Sequence, residues 1–307
     1  MKPLHIETPL FESRAMTISA GRTVWLKLET AQPPGSFKIR GIGHACQEYV
    51  RRGAKRFISS SGGNAGIAVA YAGRHLSVPV VVVVPETTTE AAKALIRQEG
   101  AEVVIHGPSW SEANALAQSM VNTSDAFLHP FDDPLIWQGH ASLVDEIVQS
   151  GVKPGAIVLS VGGGGLLSGV VAGLQRNGWT DVPVIAVETL GADSFAQSLR
   201  AGYRIKLAAI TSIATSLGAT QVCEQAFSWS KKHPIRSMVV SDRSAVAACL
   251  RFLADQRVVV EPACGASLAA VYDGGKELEE FESVLVVVCG GATATVEKLQ
   301  GQKNVLA

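Results

Sequence analysis

The stretch Ala156-Ile157-Val158-Leu159-Ser160-Val161-Gly162-Gly163-Gly164-Gly165-Leu166-Leu167-Ser168-Gly169 decides the fold class. Its opening residues are apolar without alternation, the pattern of a strand buried on both faces. A helix pattern follows over residues 166–176. Between them stand four glycines. Each glycine costs backbone entropy on folding, so four together need a reason. One reason is a nest of N–H groups around a phosphate, reinforced by the helix dipole. The other is a purely structural loop. No lysine follows the glycines as in a Walker loop. The G-x-G-x-x-G spacing of a dinucleotide site is also absent, because Leu166 and Leu167 stand where it would continue.

Working outward, strand and helix patterns alternate along the chain. Strands are expected at 24–28, 56–59, 80–84, 102–105, 156–160, 184–187 and 284–288. Helices are expected at 40–52, 64–75, 89–99, 111–121, 135–149, 166–176, 245–255 and 265–272. This alternation predicts an α/β protein with open, twisted, mainly parallel sheets and helices on both faces. The 307 residues suit two such sheets. Composition places no boundary between them, but His129-Pro130-Phe131-Asp132-Asp133-Pro134 is the clearest punctuation.

Apolar residues make up 47% of the chain and charged residues 18%, with 27 basic against 27 acidic side chains. A net charge of zero argues against nucleic acid or a membrane surface as partner and favours a small zwitterionic substrate. Cys46, Cys223, Cys249, Cys264 and Cys289 form no C-x-x-C pair, and five is an odd number. A zinc cluster or disulfide framework is therefore not expected. The start, Met1-Lys2-Pro3-Leu4-His5, lacks an apolar signal core, and the apolar run 78–84 is too short to span a bilayer. Both points lead us to expect a cytoplasmic protein with reduced thiols.

Three more segments carry chemistry. In Gly35-Ser36-Phe37-Lys38-Ile39-Arg40-Gly41, Ser36 is expected to cap a helix and so put Lys38 in the first turn. A lone lysine is ordinarily a solvated surface charge. At a helix start, with burial, its amine would lose proton affinity and could form a Schiff base. In Ser59-Ser60-Ser61-Gly62-Gly63-Asn64-Ala65-Gly66, a strand runs through small residues into a helix. That suits either a carboxylate cradle or an ordinary tight turn. Finally, the strand 284–288 delivers Cys289 to its C-terminal end, where open α/β sheets bind ligands. A lone cysteine there is ordinarily a small buried hydrophobe. An amine, two anion cradles and a thiol together match the needs of pyridoxal phosphate (PLP).

These motifs resemble the serine/threonine dehydratase family, of the tryptophan-synthase-β-like PLP fold, and within it the short L-serine dehydratases. The likeness runs nearly end to end. It includes Thr8-Pro9-Leu10, Gly35 to Gly41, Gly63-Asn64-Ala65-Gly66, His129 to Asp133, Trp137-Gln138-Gly139-His140, Gly162 to Gly165, Val187-Glu188-Thr189 and Cys289-Gly290-Gly291. The resemblance implies a large cofactor domain of residues 1–37 and 135–307 and a small domain of residues 38–134. The cofactor would lie in the crevice between them.

It further implies that Lys38 carries the cofactor and acts as base, and that Phe37 packs on one ring face. Asn64 would bond the ring's 3′-oxygen. Gly162, Gly163, Gly164 and Gly165 would hold the phosphate, and Cys289 would face the ring nitrogen. Ser61, Gly62, Gly63, Asn64 and Ala65 would hold the substrate carboxylate. Glu188, Ala192, Leu217 and Ala219 would bind a monovalent cation such as K+, and relatives are commonly homodimers. Two departures stand out. Ser216 replaces a frequent alanine on the second ring face, and Gly62, where relatives vary between small residues, would loosen the carboxylate cradle.

The implied activity is β-elimination of water from L-serine to pyruvate and ammonia, and from L-threonine to 2-oxobutanoate. A thiol is a weak donor and acceptor, so Cys289 would leave the ring nitrogen largely neutral, which favours elimination over transamination. Alternatives are a serine racemase, a cysteine synthase or a biosynthetic threonine deaminase of the same fold. A catalytically silent ligand-binding protein and a nucleotide-binding oxidoreductase are more distant alternatives. The short stretch after Cys289 leads us to expect no added regulatory domain.

Overall fold

The computed structural model describes residues 1–306. Ten strands form in chain order: β1 (Leu10–Glu12), β2 (Thr23–Lys27), β3 (Arg56–Ser59), β4 (Val80–Val84), β5 (Glu102–Ile105), β6 (Asp125–Leu128), β7 (Ala156–Ser160), β8 (Val184–Thr189), β9 (Ile235–Val240) and β10 (Ser283–Val287). They build a six-stranded sheet in the order β1-β2-β10-β7-β8-β9 and a four-stranded sheet in the order β5-β4-β3-β6. Every pairing is parallel except β1 with β2. The unbroken Val/Ile runs follow from this geometry, since both faces of β4 and β7 are covered. Each sheet has its own core. One gathers Val158, Ile185, Val286 and Phe195, and the other Phe57, Val82, Ile67 and Ile42.

The seven expected strands form within two residues of their expected ends. Three strands were not anticipated. β1 has only three residues. β6 opens on Asp125, which pairs with Arg56 instead of ending a run. β9 is an edge strand whose Arg236 and Ser237 interrupt the apolar pattern. Helices Arg14–Ala20, Ser194–Ala201, Glu224–Trp229 and Val296–Val305 were likewise unforeseen. All five cysteines are free and buried. Among the described residues, no helix is long and apolar enough to cross a membrane.

Strand order fixes where the loops emerge. β10 lies beside β7, with Val286 opposite Val158, so the segments after Ser160 and Val287 leave the sheet side by side. In the smaller sheet β3 lies beside β6, with Ser59 opposite Leu128, so the Ser61 and His129 segments do the same. Both pairs leave from C-terminal strand edges. The division at residues 37/38 and 134/135 is our proposal, supported by this split into two sheets with separate cores.

A buried ionic cluster joins the parts. Arg40 donates to both Glu29 oxygens, at 2.6 and 2.8 Å, and to both Glu146 oxygens, at 2.6 and 2.7 Å. Lys27 reaches Glu146, and the Thr8 hydroxyl donates to Glu29 at 2.7 Å. Arg40 and Glu29 have no solvent exposure. Removing the guanidinium would leave two enclosed carboxylates with Lys27 as their cation and Thr8 and Gln32 as neutral donors. Arg40→Ala is expected to lower unfolding stability by about 3–5 kcal/mol in urea titrations. A loss below about 1 kcal/mol would show that the cluster does not carry this junction.

Candidate active site

Lys38 is the first residue of helix Lys38–Arg51, but Ser36 does not cap it. The N-cap is Phe37, without a side-chain bond, and the Ser36 hydroxyl has no partner. Ser36 was expected to be the cap. Its backbone instead bridges to Gly290, while the Phe37 amide donates to the Cys289 carbonyl at 3.2 Å and the Gly291 amide to the Gly35 carbonyl at 3.0 Å. This stitching brings Lys38 and Cys289 together, although they lie far apart in sequence.

The Lys38 amine donates to the Pro130 carbonyl at 2.7 Å, and its Nζ lies 5.2 Å from the Phe37 ring centre. Its partner is a neutral carbonyl and not a carboxylate. Burial pulls the amine down to about 8, against upward pulls from Cys289 and Glu261. Pro130 reaches it because the segment is folded tightly. His129 Nδ1 accepts from the Phe131 and Asp132 amides at 3.2 and 2.8 Å, and the Trp137 indole donates to the Phe131 carbonyl at 2.8 Å. The stretch read as punctuation therefore forms one wall of the site. Pro130 and His129 were missed because no local pattern links them to Lys38.

Phe131 also joins the amine to the glycine loop. A Cβ at Gly163 would come within 2.3 Å of its ring. Gly164 adopts a φ of +88°, natural to glycine, and begins helix Gly165–Arg176. The Gly163 carbonyl accepts from Cys223, and the Gly164 carbonyl from Ser168. The loop's N–H groups have no acceptor among the described residues, as an anion site requires.

The second cradle starts helix Asn64–Leu76, with Gly63 as N-cap. Ser61 Oγ accepts from the Gly63 amide at 3.4 Å. A Cβ at Gly66 would lie 1.8 Å from the Ser61 carbonyl, so only glycine allows this turn. At Gly62, the space a methyl would take already holds the Thr88 side chain, at 2.6 Å. The expected loosening thus meets a neighbour that fills the gap. Asn64 and Ala65 follow as the first two residues of the helix.

Asn64 crosses the crevice. Its Nδ2 donates to Glu261 at 2.8 Å, and its Oδ1 accepts from the Ala292 amide at 3.0 Å. The Ser216 hydroxyl also approaches Glu261. The neighbouring Cys264 thiol, with burial, pushes the Cys289 thiol well above its usual range. Glu261 and Cys264 escaped sequence reading. Further off, Leu217 packs against Gly162, and Ala192 is buried. Glu188 accepts from the Phe195 and Ala196 amides at 2.9 and 2.7 Å, and burial raises its carboxyl to about 8. The structure thus gathers Lys38, Phe37, Asn64, Ser216, Cys289 and the two glycine cradles.

A family model described as "Pyridoxal-phosphate dependent enzyme" matches residues 1–290. The chain is 48% identical to the L-serine dehydratase/L-threonine deaminase of Bos taurus, over 99% of this chain and 97% of that protein. It is 50% identical to a serine dehydratase-like protein of Mus musculus, over 98% and 95%. A crystal structure of a fungal L-serine ammonia-lyase from Rhizomucor miehei aligns with a TM-score of 0.94 at 36% identity, covering 98% of each chain. The chain belongs to the pyridoxal-phosphate-dependent enzyme family, and its fold is the two-sheet, tryptophan-synthase-β-like architecture of those neighbours.

The donor set fits that cofactor: an amine without an acid partner, N–H groups at a glycine loop, and a neutral thiol. Since only an unprotonated amine attacks an aldehyde, the rate at which cofactor-free protein captures pyridoxal phosphate should rise through about pH 8. Stopped-flow absorbance tests this. A rise centred near pH 10 would contradict a buried Lys38 of lowered proton affinity.

Proposed function

We propose that this chain eliminates water from L-serine to give pyruvate and ammonia, and converts L-threonine to 2-oxobutanoate by the same route. The observation that carries the reading is the Lys38 amine, bonded to a neutral carbonyl with its proton affinity lowered to about 8. Such an amine can anchor a cofactor and then serve as general base near neutral pH.

Pyridoxal phosphate, when bound, supplies a carbonyl for the amino group and a ring that draws electron density from Cα. The amides of Gly162, Gly163, Gly164 and Gly165 hold its phosphate. Asn64 would donate to its ring oxygen, and Phe37 and Ser216 would lie on its two faces. Ser61 and the turn Gly62, Gly63, Asn64 and Ala65 hold the substrate carboxylate. This fixes the Cα–H bond towards Lys38, whose Nζ takes the proton. The Pro130 carbonyl holds the resulting ammonium. Cys289 stays protonated and brings no negative charge to the ring nitrogen. That would favour prompt departure of the β-hydroxyl, which takes up the proton held by Lys38 and leaves as water.

Glu188, with backbone carbonyls of Ala192, Leu217 and Ala219, completes the reading as a site for a monovalent cation such as K+. A cytoplasmic homodimer is also part of it, supported by the family resemblance.

Purified protein incubated with each enantiomer of serine and threonine should release pyruvate and 2-oxobutanoate from the L-forms. Lys38→Ala should reduce turnover about 10³-fold or more. Racemisation of serine exceeding pyruvate release would overturn the proposal, as would an unchanged rate in the lysine variant.

A further inference from the structure

Glu261 has no part in the roles assigned so far, yet it touches the site from an unusual position. It precedes helix Pro262–Asp273 as its N-cap, with extended backbone. The backbone is held on several sides. Its carbonyl accepts from the Cys264 and Gly265 amides, both at 2.9 Å, and from the Cys249 thiol at 3.3 Å. Its own amide donates to the Gly290 carbonyl at 3.4 Å. The side chain is confined as well. A Cβ at Gly291 would come within 2.6 Å of the Glu261 Cβ and Cγ. The side chain thus packs along Gly291, and its carboxylate reaches Asn64.

A side-chain amide has two N–H donors and one carbonyl acceptor. The Ala292 amide can only donate, so it requires the Asn64 oxygen opposite it. The Asn64 nitrogen donates to the Glu261 Oε1, which accepts without needing a proton of its own. The two partners oppose a flip of the Asn64 amide. One Nδ2 proton is consumed by Glu261, and one remains. The carboxylate thereby governs which groups near Asn64 stay free to donate. It also joins the two halves of the molecule, since Asn64 lies next to the four-stranded sheet and Glu261 beside β10's exit from the six-stranded one.

We propose that Glu261 is a positioning residue: together with the Ala292 amide, its carboxylate locks the Asn64 side chain in one orientation and leaves a single Nδ2 proton for the cofactor's ring oxygen. This rests on the reading of Asn64 as a cofactor-binding residue. Glu261 acts through Asn64, so the two should not act independently.

The test uses the full chain purified with pyridoxal phosphate. Cofactor affinity is measured by equilibrium dialysis against graded pyridoxal phosphate, with bound cofactor read by absorbance. Glu261→Ala is expected to weaken binding about tenfold or more, the effect of losing one hydrogen bond to a charged group. Glu261→Asp keeps the charge and is a favoured N-cap, but withdraws the carboxylate by one methylene. It should weaken binding similarly and keeps the test open if the alanine variant does not fold. Glu261→Gln keeps an acceptor oxygen and should stay within about threefold of wild type.

Asn64→Ala combined with Glu261→Ala, or with Glu261→Asp, should bind no more weakly than Asn64→Ala alone. Wild-type affinity in the alanine or aspartate variant would overturn the proposal, as would losses that multiply in the double variant. An Asn64→Ala chain that binds as wild type would overturn it together with the cofactor role of Asn64. A wild-type chain that binds no pyridoxal phosphate would instead reject the wider reading of the site.

Discussion

Much of this molecule depends on one buried arginine. Arg40 lies two residues beyond the reactive lysine and holds Glu29 and Glu146 at the same time. Glu29 follows β2, and Glu146 lies on helix Pro134–Gln149. The guanidinium fork matches two carboxylates where an ammonium could not. The start of helix Lys38–Arg51 is thereby pinned to the six-stranded sheet, while the helix body packs on the four-stranded one through Ile39, Ile42 and Ala45. One short stretch of chain thus meets two cores, and the lysine sits where they join. The cluster encloses charges at considerable desolvation cost, and what it contributes is location.

That location explains the chemistry. A lysine on a helix surface would be protonated and solvated. Here the amine is enclosed and faces a neutral carbonyl from the His129–Asp132 turn. The parallel sheets contribute their C-terminal edges, where loops after β7 and β10 meet loops after β3 and β6. Each loop delivers one capability: an anion cradle, a thiol, a second cradle, a carbonyl. The thiol is kept protonated by its neighbour Cys264 and by burial, so it adds no negative charge beside the reaction.

The sequence was legible where the constraint is local. Val80–Val84 reads as a strand because a buried parallel strand has no solvent face to mark. Lys38, Asn64 and Cys289 stand out because each lies within three residues of glycines that a ligand would need. Other features were illegible for physical reasons. Pro130 is 92 residues from Lys38, and Glu261 is 197 residues from Asn64. Such contacts arise only once the two sheets are assembled. The Ser36 cap was misread because a hydroxyl before a helix is a good cap only if the backbone leaves it free. Here Ser36 is committed to pairing with Gly290. β9 stayed hidden because an edge strand tolerates Arg236 and Ser237.

The central claim is that Lys38, among all the lysines of the chain, holds the cofactor. Borohydride reduction makes a lysine–cofactor bond permanent, and peptide mass spectrometry then locates it. The account predicts one modified peptide, with the added mass on Lys38. A modified peptide centred on another lysine, or none at all in protein that carries bound pyridoxal phosphate, would contradict it.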